Sequence, residues 1–463
     1  MVYNMTCFDA HPREVSENFY DNDRVENGAA DGAYSKNQNT CCYYKKCLNV
    51  NDSSEWIQLQ WDYAHCIDLA EGDAREGDVP CIEKHLDLAQ EVTKQFRYGK
   101  EFSHICVNNF GCVSDNDTHE YVKNHADDIQ EEKNCSEVSS ATLMPVIRSN
   151  LKFAAHGEHF LNNYSKNLPS YVIRMNEVVN DENENEKKRQ LFKGLLSKIN
   201  VTHVTVIYGL LDIYSYLAKA QHGVSKVNQF PWNYSDRVSH LKFLLDKIGS
   251  KDFDKCVLKE RKSQLEQCQF PDGSSIRTEY PRQTRSEDFY FDVTNEIDKG
   301  ENLISKFARS ISVHLSQRIE TSEVITLMKE AFHDWNDTAL DNLVSIANSS
   351  GRHYGSSETL LCQFKELKKR FSSLPAKPKN IEVEVKMSYK EALEEEIHKW
   401  LCIYHESKHF SGIEEILHFS LCCFVKAPLE ATAETIGSLI NQHGRKGRYS
   451  LLPTSLSNEV HIA

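Results

Sequence analysis

Three acidic residues and a histidine are the groups in this chain best placed by type and spacing to do chemistry. Asp31 sits in Gly28-Ala29-Ala30-Asp31-Gly32-Ala33-Tyr34, which reads as a buried strand end closing on a tight turn. Asp62 and His65 stand three residues apart in Trp61-Asp62-Tyr63-Ala64-His65. Glu434 lies near the far end of the chain, in a stretch from Ala431 to Asn441 with helical spacing. Carboxylates brought together from distant points can hold magnesium, a hard ion that takes oxygen ligands. A pair of such ions activates water and steadies a leaving oxygen in phosphoryl transfer. Asp31 and Glu434 are the candidate metal ligands, and Asp62 could orient His65 as a paired carboxylate. Each residue also has a plain reading. An Asp-Gly pair is a common turn, a helix glutamate is commonly solvated, and a histidine beside an apolar run is commonly a hydrogen-bonded core residue.

Other clusters are less complete. Arg445-Lys446-Gly447-Arg448, flanked by His443 and Tyr449, is the best local phosphate-binding loop, and its plain reading is a solvated turn. The surface as a whole does not suit nucleic acid, because the formal net charge is −14. Asp115-Asn116-Asp117 opens like a calcium loop but lacks the central glycine and the terminal glutamate. Cys106, Cys112 and His119 do not form a metal spacing, and Cys41, Cys42 and Cys47 lack the paired histidines of a zinc finger.

The elements that must position these groups are mostly helical. A chain of 463 residues is long enough for two or three domains, and 40% hydrophobic residues is ordinary for a globular protein. Residues 1–27 are polar and acidic. Glu55 to Trp61 alternates polar and apolar residues as a half-buried strand does, and His65 to Asp73 then follows helical spacing. Ile82 to Phe102 is amphipathic, with Leu86, Leu88, Ala89, Val92 and Phe96 on one face. Helices are also expected over 151–163, 190–199, 204–220, 238–248, 302–319, 323–343 and 390–405. The charged run 181–189 reads as a solvated loop, and 373–379, with two prolines, as a linker. The apolar block from Ile416 to Val425 reads as buried on most sides and stops at Pro428. No repeat at a solenoid period stands out. The first residues lack the pattern of a secretory signal, and no uninterrupted apolar run reaches about eighteen residues. Val204 to Leu217 contains Asp212 and reads as a core helix. With 15 cysteines and no signal, the thiols are expected to be reduced. The expected location is nuclear or cytoplasmic, not secreted, with no membrane contact.

Several of these motifs resemble transposases of the hAT superfamily, which have a ribonuclease H-like fold. Gly28 to Tyr34 resembles the strand end carrying that family's second catalytic aspartate. Trp61 to His65, continued by Ile67-Asp68-Leu69-Ala70, resembles its Cys/Asp-X-X-His motif. Leu151-Lys152-Phe153-Ala154-Ala155-His156 is similar to the segment that opens the large helical insertion. Ala433-Glu434-Thr435-Ile436-Gly437-Ser438, after Pro428, resembles the helix with the last catalytic acid, and the run from Leu417 to Ile462 resembles the dimerisation region. The motifs cover residues 28–80 and 413–463, and the middle matches only in its helical character.

The resemblance implies a mostly α, α/β chain: an incomplete ribonuclease H-like core interrupted by a large α-helical insertion. It implies a polar extension over 1–27, a partial core over 28–110, an insertion over 111–380, and the rest of the core with the dimerisation-like region over 381–463. Asp31 and Glu434 would be residual catalytic acids and magnesium ligands, with Asp62 and His65 in a supporting motif. Arg445, Lys446 and Arg448 would touch DNA weakly. The departures matter as much. The family's first aspartate has no counterpart, since Asp9, Asp21 and Asp23 lack a strand pattern, and the DNA-binding zinc finger is missing. Pro428 stands one residue too close to Glu434, which leaves Glu430 as a second choice for the acid. The expected protein is therefore N-terminally truncated, inactive in DNA strand transfer, and able to associate with a second copy or a related transposase-like protein. A helical interaction scaffold with no nucleic-acid role is the alternative. A third reading is an active nuclease using Asp31, Asp62 and Glu434.

Overall fold

Apolar residues at helical spacing shape this protein, and helices account for almost all of its described secondary structure. The computed structural model describes residues 27–30, 58–61, 63–98, 101, 144–148, 154–224, 229–276, 292–319, 322–349, 354–375, 389–406 and 412–424. Two short strands, β1 (Asn27–Ala30) and β2 (Gln58–Trp61), pair in parallel, with Asn27 opposite Gln58 and Ala30 opposite Trp61. A parallel pair needs a long crossover rather than a hairpin, and the chain between the strands supplies the length. Helix α1 (Tyr63–Asp73) begins just after β2 and runs through a π-helical turn, Ala74–Asp78, to α2 (Cys81–Tyr98).

Next along the chain come α3 (Ala154–Asn180), α4 (Glu186–Leu196), α5 (Val201–Val224) and α6 (Pro231–Gly249). Two short helices, α7 (Val257–Glu260) and α8 (Lys262–Glu266), precede the long α9 (Val293–Arg318). The last five are α10 (Glu323–Phe332), α11 (Asp337–Ser349), α12 (Ser357–Ser373), α13 (Tyr389–Glu406) and α14 (Glu414–Phe424). The chain forms two compact units. One comprises Met1–Cys66, His222–Ser239 and Arg318–Ala463, and the other Ile67–Gln221 and His240–Gln317.

In the second unit α2 buries Ile82, Leu86, Ala89, Val92 and Phe96, the face its periodicity predicts. Phe96 stacks on Tyr171 of α3 at 4.1 Å. Helix α4 packs on α3, and its first turn is capped by Asn185, whose side chain accepts the Lys187 N–H at 2.9 Å. Helix α5 is long and apolar enough to cross a membrane by composition, and 78% of its most apolar window is buried within the protein. Its Asp212 has a structural use. The carboxylate accepts the backbone N–H groups of Val257 at 2.8 Å and Leu258 at 3.2 Å, the orphan donors at the start of α7. Burial pushes this carboxyl up to about 6, against the pull of those two donors.

The first unit is built on an aromatic core. Phe332 touches Phe364, Trp400 and Phe424 edge-on, and Trp335 stacks on Trp400 at 5.8 Å. The sequence pattern over 323–343 suggests one helix, but there are two. Trp335 takes a positive φ of 57° and ends the run. Asn336 then caps α11 by accepting the N–H groups of Thr338 and Ala339. The tertiary gain for Trp335 among Trp400, Phe364 and Phe371 outweighs the penalty of a left-handed residue. Helix α12 is not apparent in the sequence pattern. Its N-cap is Ser356, which accepts the Thr359 N–H, and it buries Leu360, Phe364 and Leu367.

Candidate functional site

β1 and β2 end on the paired residues Ala30 and Trp61. In sequence the next residues are Asp31 and Asp62, and both lie outside the described residues. So do Glu430, Glu434, Arg445, Lys446 and Arg448, and Cys106, Cys112, Asp115 and His119. His65 is described. It sits half-buried in the first turn of α1, with buried Cys66, Ile67 and Ala70 after it. Among the described residues no group of three His, Cys, Asp or Glu is arranged to hold a metal ion.

Further along α1 the carboxylates enter a dense polar network in the second unit. Gln221 donates to Asp68 and accepts the Ala154 N–H at 2.9 Å. Glu71 accepts from Tyr214 at 2.5 Å and from Arg75 at 2.8 Å. Arg75 also donates to Glu83 at 2.6 Å, and Arg148 donates to the same carboxylate at 2.8 Å. Asp68, Glu71, Arg75, Glu83, Arg148 and Tyr214 line a cleft of about 530 Å³. The fit is close, because a Cβ on Gly157 would stand 2.5 Å from the Tyr214 ring. Burial opposes the charge on Arg75, but Glu71 and Glu83 outweigh it and hold the guanidinium above its ordinary range. Burial alone would raise Glu83, and Arg148 and Arg75 hold it below the usual carboxylate range. Tyr214 is pushed well above its ordinary value by burial and by the Glu71 carboxylate. Asp68, Glu71 and Glu83 are thus engaged by cations and donors. The arrangement ties α1, α2, α3 and α5 together.

A second polar cluster joins residues that the sequence reading did not connect. His85 of α2 and His203 of α5 approach Nδ1 to Nδ1 at 3.0 Å, and the other nitrogen of His203 lies 3.1 Å from the Tyr164 hydroxyl of α3. His203 and Tyr164 are fully buried. One protonation pattern gives every group a use. Tyr164 donates to His203 Nε2, and His203 Nδ1–H donates to His85 Nδ1. The pattern is assigned from hydrogen bonding. It requires both rings to be neutral. Burial holds His85 down at about 4, and burial with His85 alongside holds His203 well below its usual value. His85 also lines a pocket of about 640 Å³ with Lys198, Asn200, Thr202 and Glu296. No local pattern announces this pairing, since the two histidines are 118 positions apart.

No family model matches this chain, and neither curated proteins nor solved structures provide a match.

Proposed function

We propose that this chain is a transposase-derived protein of the hAT type, inactive in DNA strand transfer, that retains protein association and weak contact with nucleic acid. The observation that carries the reading is the parallel pair together with the two aspartates that succeed it in sequence. Two neighbouring strands end in register, with Asp31 directly after β1 and Asp62 directly after β2. In open sheets with parallel strands, ligands gather outside the carboxyl ends of the strands. His65 stands on the helix that leads directly out of β2, and a large helical part comes next. A partial ribonuclease H-like core opening onto a helical insertion has that order.

Inactivity is a consequence of ligand number. If Asp31 and Glu434 are the acids that act together, a two-ion site built on those two alone is short of a ligand that positions both nucleophile and leaving group. Magnesium belongs to the intact family's chemistry, and Asp31 and Glu434 are the residues here that would hold it. Association would use the C-terminal region, and DNA contact would use Arg445, Lys446 and Arg448. The full chain, incubated with supercoiled plasmid and magnesium, is expected to leave the plasmid intact, as is Asp31→Asn. Magnesium-dependent cleavage that disappears in Asp31→Asn would overturn the inactivity. A crystal structure with the Asp31 and Glu434 carboxylates more than about 12 Å apart would remove the shared-metal ancestry, since magnesium–oxygen bonds are only about 2 Å.

A further inference from the structure

The pocket of about 640 Å³ beside the paired histidines lies within the second unit and is lined from α2, residues 198–202 and α9. A residue behind its wall, the fully buried His203, sets which hydrogen-bonding groups the wall can offer. A buried hydroxyl must place its hydrogen, and Tyr164 has His203 Nε2 at 3.1 Å. His203 therefore carries its own hydrogen on Nδ1 and donates it to His85 Nδ1 at 3.0 Å. His85 is left as the Nε2–H tautomer. Its Nδ1 edge faces His203 in the core, so the Nε2–H edge is the one that this half-buried ring turns to the pocket. The backbone N–H of His203 also donates to Asn200 Oδ1 at 2.8 Å, which leaves the amide hydrogens of Asn200 for the pocket. His85 and Asn200 are thus both fixed as donors by one buried residue.

The charges on the wall point the same way. Glu296 accepts from Thr202 at 2.6 Å and from Lys299 at 2.7 Å. Burial would raise this carboxyl, but Lys299 and Thr202 hold it below the usual carboxylate range. Asp87 stands 3.9 Å from Arg148. With these pairs set against each other, Lys84 and Lys198 face Glu91, a surplus of one positive charge. His85 adds none, because burial holds it down at about 4 and the ring is neutral at physiological pH. Leu88 and Leu303 give the pocket an apolar side.

We propose that this pocket binds a small organic monocarboxylate, its carboxylate held by His85 Nε2–H, the Asn200 amide and the ammonium groups of Lys84 and Lys198, and its apolar body against Leu88 and Leu303. An ionised carboxylate only accepts hydrogen bonds, which matches a wall whose fixed groups only donate. Bonds from lysine to such a group are charge-assisted and among the stronger ones. A cation would meet the same donors and both lysines with the wrong sign. A phosphate dianion would set a second negative charge against Glu91. The volume of about 640 Å³ lies within the range of about 300–1,000 Å³ usual for small-molecule sites. The buried Tyr164–His203 chain then has a use beyond packing, since it holds the His85 tautomer that the ligand needs. The inference stands independently of the transposase-derived reading.

The test uses the full chain with its histidine nitrogens isotope-labelled for NMR, and sodium hexanoate as the probe. Long-range proton–nitrogen correlation is expected to show His85, assigned by its loss in His85→Gln, with hydrogen on Nε2 and none on Nδ1. Sodium hexanoate, compared with sodium chloride at the same concentration, should shift the His85 Nε2–H signal saturably, and hexanol should not. Lys84→Ala/Lys198→Ala changes two exposed side chains and should keep the wild-type circular dichroism spectrum. It should bind hexanoate about tenfold more weakly, for the loss of two charge-assisted contacts. A His85 signal that hexanoate leaves in place up to its solubility overturns the proposal, as does a His85 ring with its hydrogen on Nδ1. So does hexanol that binds as hexanoate does, or a folded double variant that binds hexanoate as the wild type does.

Discussion

At the scale of single residues, the buried histidines make stability depend on pH in a definite direction. His85 is held at about 4 and His203 well below its usual value, whereas in the unfolded chain both titrate near about 6.5. Below that value the unfolded state binds more protons than the folded one. The stabilisation is therefore complete above about 6.5 and is lost as pH falls toward about 4. Asp212 works in the opposite sense. Its carboxyl is pushed up to about 6, so the folded state binds the extra proton, and its contribution falls as pH rises toward that value. Thermal unfolding monitored by circular dichroism between about pH 7 and about pH 5 should show a falling midpoint on acidification. In His85→Gln the fall should be shallower, and in Asp212→Asn, which removes the opposing group, steeper. Profiles that superimpose on the wild type would show that neither group is held as described.

At the scale of elements, α5 and α9 meet through glycines. A Cβ on Gly209 would stand 2.5 Å from the Ile304 side chain, and one on Gly300 would stand 2.6 Å from that of Thr205. Each helix thus presents a glycine to a branched residue of the other. Alanine at either position forces the helices apart at a cost of about 1–3 kcal/mol for overpacking. The gain in helix propensity, about 1 kcal/mol, offsets only part of this. Gly194 of α4 is exposed with nothing near its missing Cβ, so Gly194→Ala should stabilise by roughly 0.5–1 kcal/mol. Urea midpoints of the three variants check the contrast, which fails if Gly300→Ala and Gly194→Ala move the same way. The sequence announced neither contact, because an isolated glycine in a helical pattern looks the same whether its neighbour is solvent or a β-branched side chain.

The same limit sets how much of the fold was legible. Amphipathic helices such as α2 and α13 show in the sequence because one buried face imposes a period of 3.6 residues. The break at Trp335 does not, because distant aromatic partners hold it in place. The His85–His203 contact leaves no local trace for the same reason. Of the candidate site, His65 is the one residue described, and its place at the start of α1 agrees with the helical spacing that begins there.

At the scale of the whole molecule, each compact unit has its own core, and the tryptophans report on only one of them. The five tryptophans are Trp56, Trp61, Trp232, Trp335 and Trp400, and none falls in Ile67–Gln221 or His240–Gln317. Trp232, Trp335 and Trp400 sit in the aromatic core around Phe332. Tryptophan fluorescence therefore tracks the first unit, whereas far-ultraviolet circular dichroism tracks helices in both. Phe332 is fully buried, and Phe332→Ala removes a ring contacting Phe364, Trp400 and Phe424, a loss of about 3–5 kcal/mol. In urea this variant should move the fluorescence midpoint sharply lower and split the circular dichroism transition, because the second unit keeps its own core. Gly300→Ala should do the reverse, leaving the fluorescence midpoint in place while the circular dichroism signal falls earlier. If both probes shift together in both variants, the two cores unfold as one, and each substitution reads out the stability of the whole chain.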